Sequence, residues 1–252
     1  FGSRAPAARR RRRAIGCKPS CSSAMATNGV AGENGNAAAA EVSVGAARVD
    51  STLDFLRIVG KLKEVKRTGW VRCGVQGAES VSDHMYRMAL MGFTLGRAEG
   101  VDSSKCVKMA LVHDLGESLI GDLVTDGEKS KQDKITREEK VRRERAAIAQ
   151  ICSTVGGDVG KEIHDLWEEF ETGETQEARH LRDLDKFEMV LQASEYEEAQ
   201  GLPLQDFFRS TAGKFTTPLF RELDAEVRKR RDSRGGAPEP SAKRAKAGEE
   251  GA

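Results

Sequence analysis

Residues 110–123 of the chain read ALVHDLGESLIGDL, a stretch in which ionisable side chains interrupt an apolar run. The apolar spacing that leads into it is helical and predicts a helix that extends to about Asp114. Glu117 follows His113 by four residues, so on a helix these two side chains would share one face. The stretch therefore predicts a buried helical segment that carries a histidine together with carboxylates.

A buried aspartate beside a buried histidine is unfavourable unless its charge is compensated. A divalent cation compensates it directly, since imidazole and carboxylate are ligands for Zn, Mn, Co and Fe. The alternative is a core His113 that a neighbouring carboxylate satisfies. Asp122 adds a carboxylate to the same stretch, and Asp185 shares a mostly apolar helix face with Met189, where it would need a partner. These two observations favour a metal site.

Helical spacing occurs almost everywhere between residues 51 and 231. Thr136 and Glu139 form a candidate capping box at the start of a charged helix. No alternating run with hairpin turns is present, so the chain is predicted to be all-α with a single domain at 51–231. The apolar positions of one predicted helix are Val81, Met85, Met88, Gly92 and Leu95. Other helices are predicted at 136–152, 159–170 and 176–200, and after Pro203 and Pro218.

The composition differs between the ends of the chain and its middle. Residues 1–50 have almost no large apolar side chain and are predicted to be a disordered leader, and 232–252 a disordered basic tail. The Arg-rich residues 1–24 are interpreted as a leader upstream of a start at Met25, or as an organelle transit peptide. With 41 basic and 40 acidic residues, the folded part is not expected to coat nucleic acid.

The compartment is predicted from three further features. Five cysteines at irregular spacing indicate free thiols in a reducing compartment, and no apolar run is long enough to span a membrane. The basic clusters 228–231 and 243–246 resemble a bipartite nuclear import signal; the alternative is a solvated basic helix end followed by a tail. The prediction is a cytoplasmic protein, with nuclear import as an option.

Several short blocks, taken in order, resemble a known family. The chain is similar to the HD-domain metal-dependent phosphohydrolases, and within them to the HD-domain-containing 5′-deoxynucleotidases. The resemblance covers about residues 52–230 and implies an HD-domain helical bundle. The blocks are Thr68–Val71, Glu79–Met85, His113–Glu117, Gly121–Leu123, Leu184–Asp185 and Gln192–Glu197.

The resemblance also implies a set of metal ligands and neighbouring acids. It implies that four side chains bind one divalent cation. The cation is Mn²⁺ or Co²⁺, with Mg²⁺ as an option. Asp183 is the substitute for Asp185, the last of the four ligands. Glu117 would position or deprotonate the attacking water. Asp122 would contact the sugar 3′-hydroxyl, and both acids are candidates for holding a second ion. The four implied ligands are His84, His113, Asp114 and Asp185.

The sequence also offers candidates for the residues that contact the sugar and the phosphate of the substrate. By resemblance, Trp70 would wall the sugar pocket and disfavour a 2′-hydroxyl. A basic side chain is needed for the phosphate oxygens, and Arg67, Arg72 and Arg87 are candidates because an arginine fork suits phosphate geometry. The chain departs from the family pattern at 72–74, where Arg72 is followed by cysteine and glycine rather than asparagine.

The implied activity is hydrolysis of a deoxyribonucleoside 5′-monophosphate to deoxyribonucleoside and phosphate, by a homodimer. Two alternatives are an HD phosphohydrolase of a cyclic or hyperphosphorylated nucleotide, and a nucleotide-sensing regulator without turnover. A second His-Asp pair at His164 is interpreted as a surface feature, and His180 as exposed. The charged run 129–145 is interpreted as a solvated helix and loop, with a lid over the site as the alternative.

Overall fold

The computed structural model describes residues 46–96, 100–125 and 135–235. These residues form helices and contain no strand, only an isolated bridge between Lys66 and Ser80, which confirms the all-α prediction. The first helix begins within the segment 1–50 that the sequence assigns to the leader, and the last helix ends at Ser233, inside the predicted tail 232–252. Residues 1–45 and 236–252 lie outside the described residues. The helices are α1 (Ala46–Gly60), a 3-10 turn (Lys61–Lys63), α2 (Thr68–Arg72), α3 (Val81–Gly92), α4 (Ser103–Ala110), α5 (Glu117–Ile120), α6 (Arg137–Val155), α7 (Gly157–Thr172), α8 (Gln176–Gln200), α9 (Gln205–Thr211) and α10 (Pro218–Ser233).

Helix α3 begins at a capping box. The Ser80 hydroxyl accepts a hydrogen bond from the Asp83 backbone N–H, and the Asp83 carboxylate accepts one from the Ser80 backbone N–H. The apolar positions predicted for this helix are all buried. At Gly92 a Cβ atom would lie 3.1 Å from the Val107 side chain, so glycine permits α3 and α4 to cross closely. His84, three residues after Val81, consequently faces the core.

Helix α4 is shorter than predicted. It ends at Ala110, and residues 111–116 form turns before α5, so the prediction of a helix to about Asp114 is wrong. Leu111 is consequently exposed rather than part of the buried face. The His113 ring contributes to this ending, because its Nδ1 lies 2.9 Å from the Ala110 carbonyl and binds one of the free carbonyls at the helix end.

Helices α6, α7 and α8 confirm the helical predictions for the second half of the chain. Thr136 caps α6 by accepting a hydrogen bond from the Glu139 backbone N–H. The Glu139 carboxylate does not complete a capping box but binds Arg142 and Arg143. The long helix α8 packs against α3, α4 and α7, and so places its side chains beside those of the first half.

The C-terminal helix α10 corrects one reading of the basic cluster 228–231. Proline occupies the first turn of this helix, as predicted for Pro218. Arg231 is only 4% exposed, pairs with Glu197 and stacks over the Phe208 ring, so this cluster is not a fully solvated helix end. The second basic cluster, 243–246, lies outside the described residues.

Candidate metal centre and active site

Three separate elements bring two histidines and two aspartates together. His84 comes from α3, His113 and Asp114 from the turns after α4, and Asp185 from α8. The Nε2 atom of His84 lies 3.3 Å from Asp185 Oδ1 and 3.9 Å from Asp114 Oδ2. The Nε2 atom of His113 lies 3.2 Å from Asp114 Oδ2. The fold therefore assembles all four side chains that the resemblance implies as ligands.

The hydrogen bonds of the two rings determine which nitrogen faces the cluster. His113 Nδ1 lies against the Ala110 carbonyl, which can only accept, so Nδ1 carries the proton. His84 Nδ1 lies 2.6 Å from Glu188 Oε2 in the same manner. Both Nε2 atoms are buried and make no hydrogen bond. Neutral rings in this tautomer direct their Nε2 lone pairs at the carboxylates, and this donor set fits a divalent cation.

The electrostatics of the cluster also favour a cation. Burial and the Arg67 guanidinium lower the pKa of His84, but the carboxylates of Asp185 and Glu188 outweigh them and raise it to about 9. Burial raises the pKa of Asp114, yet His113 and Arg67 hold it well below its usual range. The cluster thus attracts positive charge strongly, and a metal ion supplies that charge without protonating the ligands.

A buried carboxylate supports His84 from behind. Glu188 is fully buried, and its second oxygen accepts a hydrogen bond from Arg87 Nε at 2.7 Å. Arg87 also binds Gln192 and Glu195. It is therefore engaged in orienting Glu188, and it does not line the main cavity described below.

The structure distinguishes Asp185 from its substitute, Asp183. Asp183 Oδ2 accepts hydrogen bonds from the backbone N–H groups of Thr216 and Thr217, each at 2.7 Å, and from both hydroxyls. These groups lie at the start of α10, so Asp183 anchors this helix to α8. One oxygen of Asp185, by contrast, lies within 4.8 Å of the ligand atoms of His84 and His113.

This difference predicts opposite results for two alanine variants. Asp185→Ala should lose the metal and keep its stability without metal, because the side chain serves the cluster. Asp183→Ala should keep the metal but lose about 2 kcal/mol of unfolding free energy, because two N–H groups at a helix start lose their acceptor. Metal content after dialysis and urea unfolding of metal-free protein measure the two effects. A folded Asp183→Ala protein without metal would reverse the assignment.

Glu117 lies beside the cluster without a hydrogen bond. It is 1% exposed, and neither carboxylate oxygen has a hydrogen-bond partner. Burial, with Asp114 and Asp122 close by, raises its pKa well above the usual range. Lys140 Nζ lies 3.6 Å from Glu117 Oε1. A buried carboxylate with a raised pKa is suited to accept a proton near neutral pH.

A cavity of about 520 Å³ opens next to the cluster. Part of its wall is aromatic: the rings of Trp70 and Phe207 lie 4.1 Å apart, and Trp70 Nε1 donates a hydrogen bond to Glu79. Another part carries charge and includes Asp114 and Asp185. The cavity therefore combines an apolar surface for a ring system with a charged surface beside the candidate metal site. Other polar residues of its wall are Arg67, Asp122, Thr125, Arg137, Lys140, Lys186, Ser210, Thr211 and Lys214.

Of the other residues predicted to bind substrate, two line the cavity and one does not. Arg67 lines the cavity, and its Nη1 lies 3.3 Å from Asp114 Oδ2. Asp122 lines it as well, and its carboxylate accepts a 2.6 Å hydrogen bond from the Thr68 backbone N–H. Asp122 thereby ties the segment after α5 to the start of α2. Arg72, the last residue of α2, is not among the described residues of the cavity wall.

Of the other two histidines, one matches its interpretation. His164 lies beside Asp165 with 45% of its side chain exposed, as expected of a surface pair. The expectation that His180 is exposed is wrong: it is 8% exposed, and its Nδ1 lies 2.8 Å from the Gln176 carbonyl. His180 therefore belongs to the buried face of α8.

Three residues near the site carry no role in the sequence-based prediction. Glu188 follows Asp185 by three residues and so lies one turn further along α8, which is a local signal that helical spacing offers. Lys140 belongs to a charged run interpreted as solvated, and Phe207 to a short helix after Pro203. No local pattern marks these two, because their neighbours at the site are distant in sequence.

Comparison with known proteins agrees with the geometry of the site. A family model described as "HD domain" matches residues 59–223. The chain belongs to the HD domain family. The resemblance found in the sequence is thereby confirmed. The HD domain implies dependence on a divalent metal, and the His84, His113 and Asp185 cluster could bind one.

The chain has close relatives among curated proteins. A protein named 5′-deoxynucleotidase HDDC2 from Dictyostelium discoideum is 52% identical over 187 residues, which cover 69% of this chain and 95% of that protein. The Homo sapiens protein of the same name is 49% identical over 182 residues, covering 70% of this chain and 86% of that protein. Both matches span most of the relative's length.

Solved structures share the fold. A conserved hypothetical protein from Pyrococcus furiosus superposes with a TM-score of 0.58 at 33% identity, covering 70% of this chain and 99% of that one. The Saccharomyces cerevisiae HD domain-containing protein YGK1 superposes with a TM-score of 0.53 at 28% identity, covering 73% and 86%. The helical bundle described above is therefore an HD domain in three dimensions as well.

Proposed function

We propose that the chain is a metal-dependent 5′-deoxynucleotidase, which hydrolyses deoxyribonucleoside 5′-monophosphates to deoxyribonucleoside and phosphate. The observation that carries the proposal is the cluster of buried His84 and His113 with Asp114 and Asp185, in which two Nε2 atoms make no hydrogen bond. The cavity beside it is large enough for a nucleotide. The names of the two HDDC2 relatives supply the substrate class.

The four residues of the cluster would hold one divalent cation, and we propose Mn²⁺ or Co²⁺, with Mg²⁺ as a weaker substitute. When bound, such a cation lowers the pKa of a coordinated water and neutralises phosphate charge. Glu117 and Asp122 are the candidates for a second ion. Asp122 is the less available of the two, since one carboxylate oxygen already accepts a hydrogen bond from Thr68.

The chain's own residues would perform the proton transfer and the binding. Glu117 accepts a proton from the attacking water as the water oxygen bonds to phosphorus. The bond to the 5′-oxygen breaks, and this oxygen keeps the bonding electron pair and takes up a proton from solvent. Arg67 retains N–H donors beyond the one directed at Asp114 and contacts the non-bridging oxygens. Trp70 packs on the sugar, and Asp122 accepts a hydrogen bond from its 3′-hydroxyl. The position of each residue on the cavity wall or beside the cluster supports the role that the family resemblance implies for it.

The sugar selectivity assigned to Trp70 predicts a change in preference. Trp70→Ala should raise kcat/KM for ribonucleotides relative to deoxyribonucleotides by about tenfold, because an indole that excludes a 2′-hydroxyl is removed. The ratio of kcat/KM for dAMP and AMP measures the effect. Trp167→Ala is the matched control, since Trp167 is an equally buried indole on α7 that does not line the cavity. An unchanged ratio in a folded Trp70→Ala protein would remove this role from Trp70.

A substrate panel tests the proposed activity against its alternatives. Phosphate release is measured with the deoxyribonucleoside 5′-monophosphates, the ribonucleoside 5′-monophosphates, a cyclic nucleotide and a guanosine polyphosphate. The proposal expects the highest kcat/KM with the deoxyribonucleoside 5′-monophosphates. A preference for either of the last two substrates would identify another HD phosphohydrolase. Nucleotide binding without release of phosphate from any of them would identify a sensor.

Assembly and location stay predictions. A homodimer is expected from the resemblance, and sedimentation of the purified protein measures it. A cytoplasmic protein with an option of nuclear import is expected from the cysteines and the basic clusters. No helix in the described part of the chain is long and apolar enough to cross a bilayer.

A further inference from the structure

Helix α6 brings Lys140 to the site, although this lysine lies far in sequence from the His113-Asp114 pair. Lys140 Nζ lies 3.6 Å from Glu117 Oε1 and 3.4 Å from Glu144 Oε1. Glu144 is one turn further along α6 and is itself buried, at 6% exposure. Lys140 therefore bridges two buried carboxylates, one on its own helix and one at the start of α5.

The packing of α5 on α6 explains this placement. Gly116, directly before Glu117, lies against α6: a Cβ atom there would be 3.4 Å from the Glu144 carbonyl oxygen and 3.6 Å from the Ala147 side chain. This contact sets the two helices side by side. Lys140, one turn before Glu144, consequently reaches over the Glu117 carboxylate.

Apart from Lys140, few recorded contacts fix the position of the Glu117 carboxylate. Its two oxygens make no hydrogen bond, and within the described residues Lys140 is the only cation recorded within 4 Å of them. Arg67, the other cation nearby, is directed at Asp114. A buried carboxylate that must receive a proton from a water molecule needs a fixed position, and a cation held from its far side by a second carboxylate provides one.

We propose that Lys140 is the positioning residue of Glu117: as its counter-cation, anchored by Glu144, it holds the carboxylate where it meets the attacking water. The proposal rests on the proposed function for its catalytic consequence. Its structural consequence, an energetic coupling between Lys140 and Glu117, does not depend on any activity.

The catalytic consequence is tested with a charged and an uncharged replacement. Lys140→Met should lower kcat for dAMP about tenfold or more with KM little changed, and Lys140→Arg should recover much of the loss, because it restores the cation. Lys161→Met is the matched control, since Lys161 makes the same i,i+4 pair with Asp165 at an exposed position on α7. A raised KM with unchanged kcat would overturn the proposal, because Lys140 would then bind substrate directly.

The coupling is tested on metal-free protein with a double-mutant cycle of Lys140→Met and Glu117→Gln. Lys140→Met alone should lower Tm by about 3 °C, and it should cost clearly less in the Glu117→Gln background, where only the Glu144 carboxylate still needs compensation. Equal losses in both backgrounds would overturn the proposal. Failure of the proposed function is recognised separately, as a wild-type protein that releases no phosphate while this cycle still reports coupling.

Discussion

Asp114→Ala protein is expected to lose its divalent metal and its phosphate release together. Asp114 lies within 4 Å of the Nε2 atoms of both His84 and His113, so its removal takes a carboxylate from the centre of the cluster. Activity should fall by at least about 10³-fold, because the water and the phosphate charge both lose the cation. Metal content after dialysis and initial rates with dAMP measure the two losses on the same sample.

The chain offers a close control for this prediction. His164 and Asp165 form a second adjacent His-Asp pair, but on the exposed face of α7. Asp165→Ala should keep both the metal and the rate. If Asp114→Ala protein bound metal as wild type does, the cluster would not be the metal site.

Glu117→Gln protein is expected to keep its metal and lose most of its turnover. The amide preserves the shape of the side chain but cannot accept the proton from water, so kcat should fall by about 10²–10⁴-fold. The metal ion held by the four ligands should be retained, since Glu117 stands beside these ligands rather than among them. Paired measurements of kcat and metal content check this separation of roles.

A suitable control is Glu162→Gln, which changes an exposed carboxylate paired with Lys108. It should leave kcat unchanged. A Glu117→Gln protein with more than half of the wild-type turnover would show that another group handles the water. Loss of the metal from Glu117→Gln would instead make Glu117 a ligand.

The features of the site that could be predicted from the sequence depend on local patterns. The spacing from Val81 to Gly92 predicted the buried face of α3, and Thr136 was predicted as the cap of α6. His84 itself was assigned by the family resemblance. Asp185 was recognised as a carboxylate on an apolar face of a long helix. These inferences hold because helical periodicity and caps act over one or two turns, which a single sequence shows directly.

The missed features depend on contacts between distant segments. The end of α4 at Ala110 is coupled to the His113 ring, and the burial of His180 and Arg231 depends on packing around α8 and α10. Lys140 looked solvated because its helix is highly charged. It became part of the site only through the docking of α6 on α5. Such contacts are properties of the folded chain and have no signature within a few residues.

The central claim is that this HD domain hydrolyses deoxyribonucleotides with a metal held by His84, His113, Asp114 and Asp185. Its most direct test is phosphate release from dAMP by chelator-stripped wild-type protein, before and after Mn²⁺, Co²⁺, Mg²⁺ or Zn²⁺ is returned. The account predicts no release from the stripped protein and restored release with Mn²⁺ or Co²⁺. Release that persists without metal, or none with any metal while dAMP binds, would contradict it.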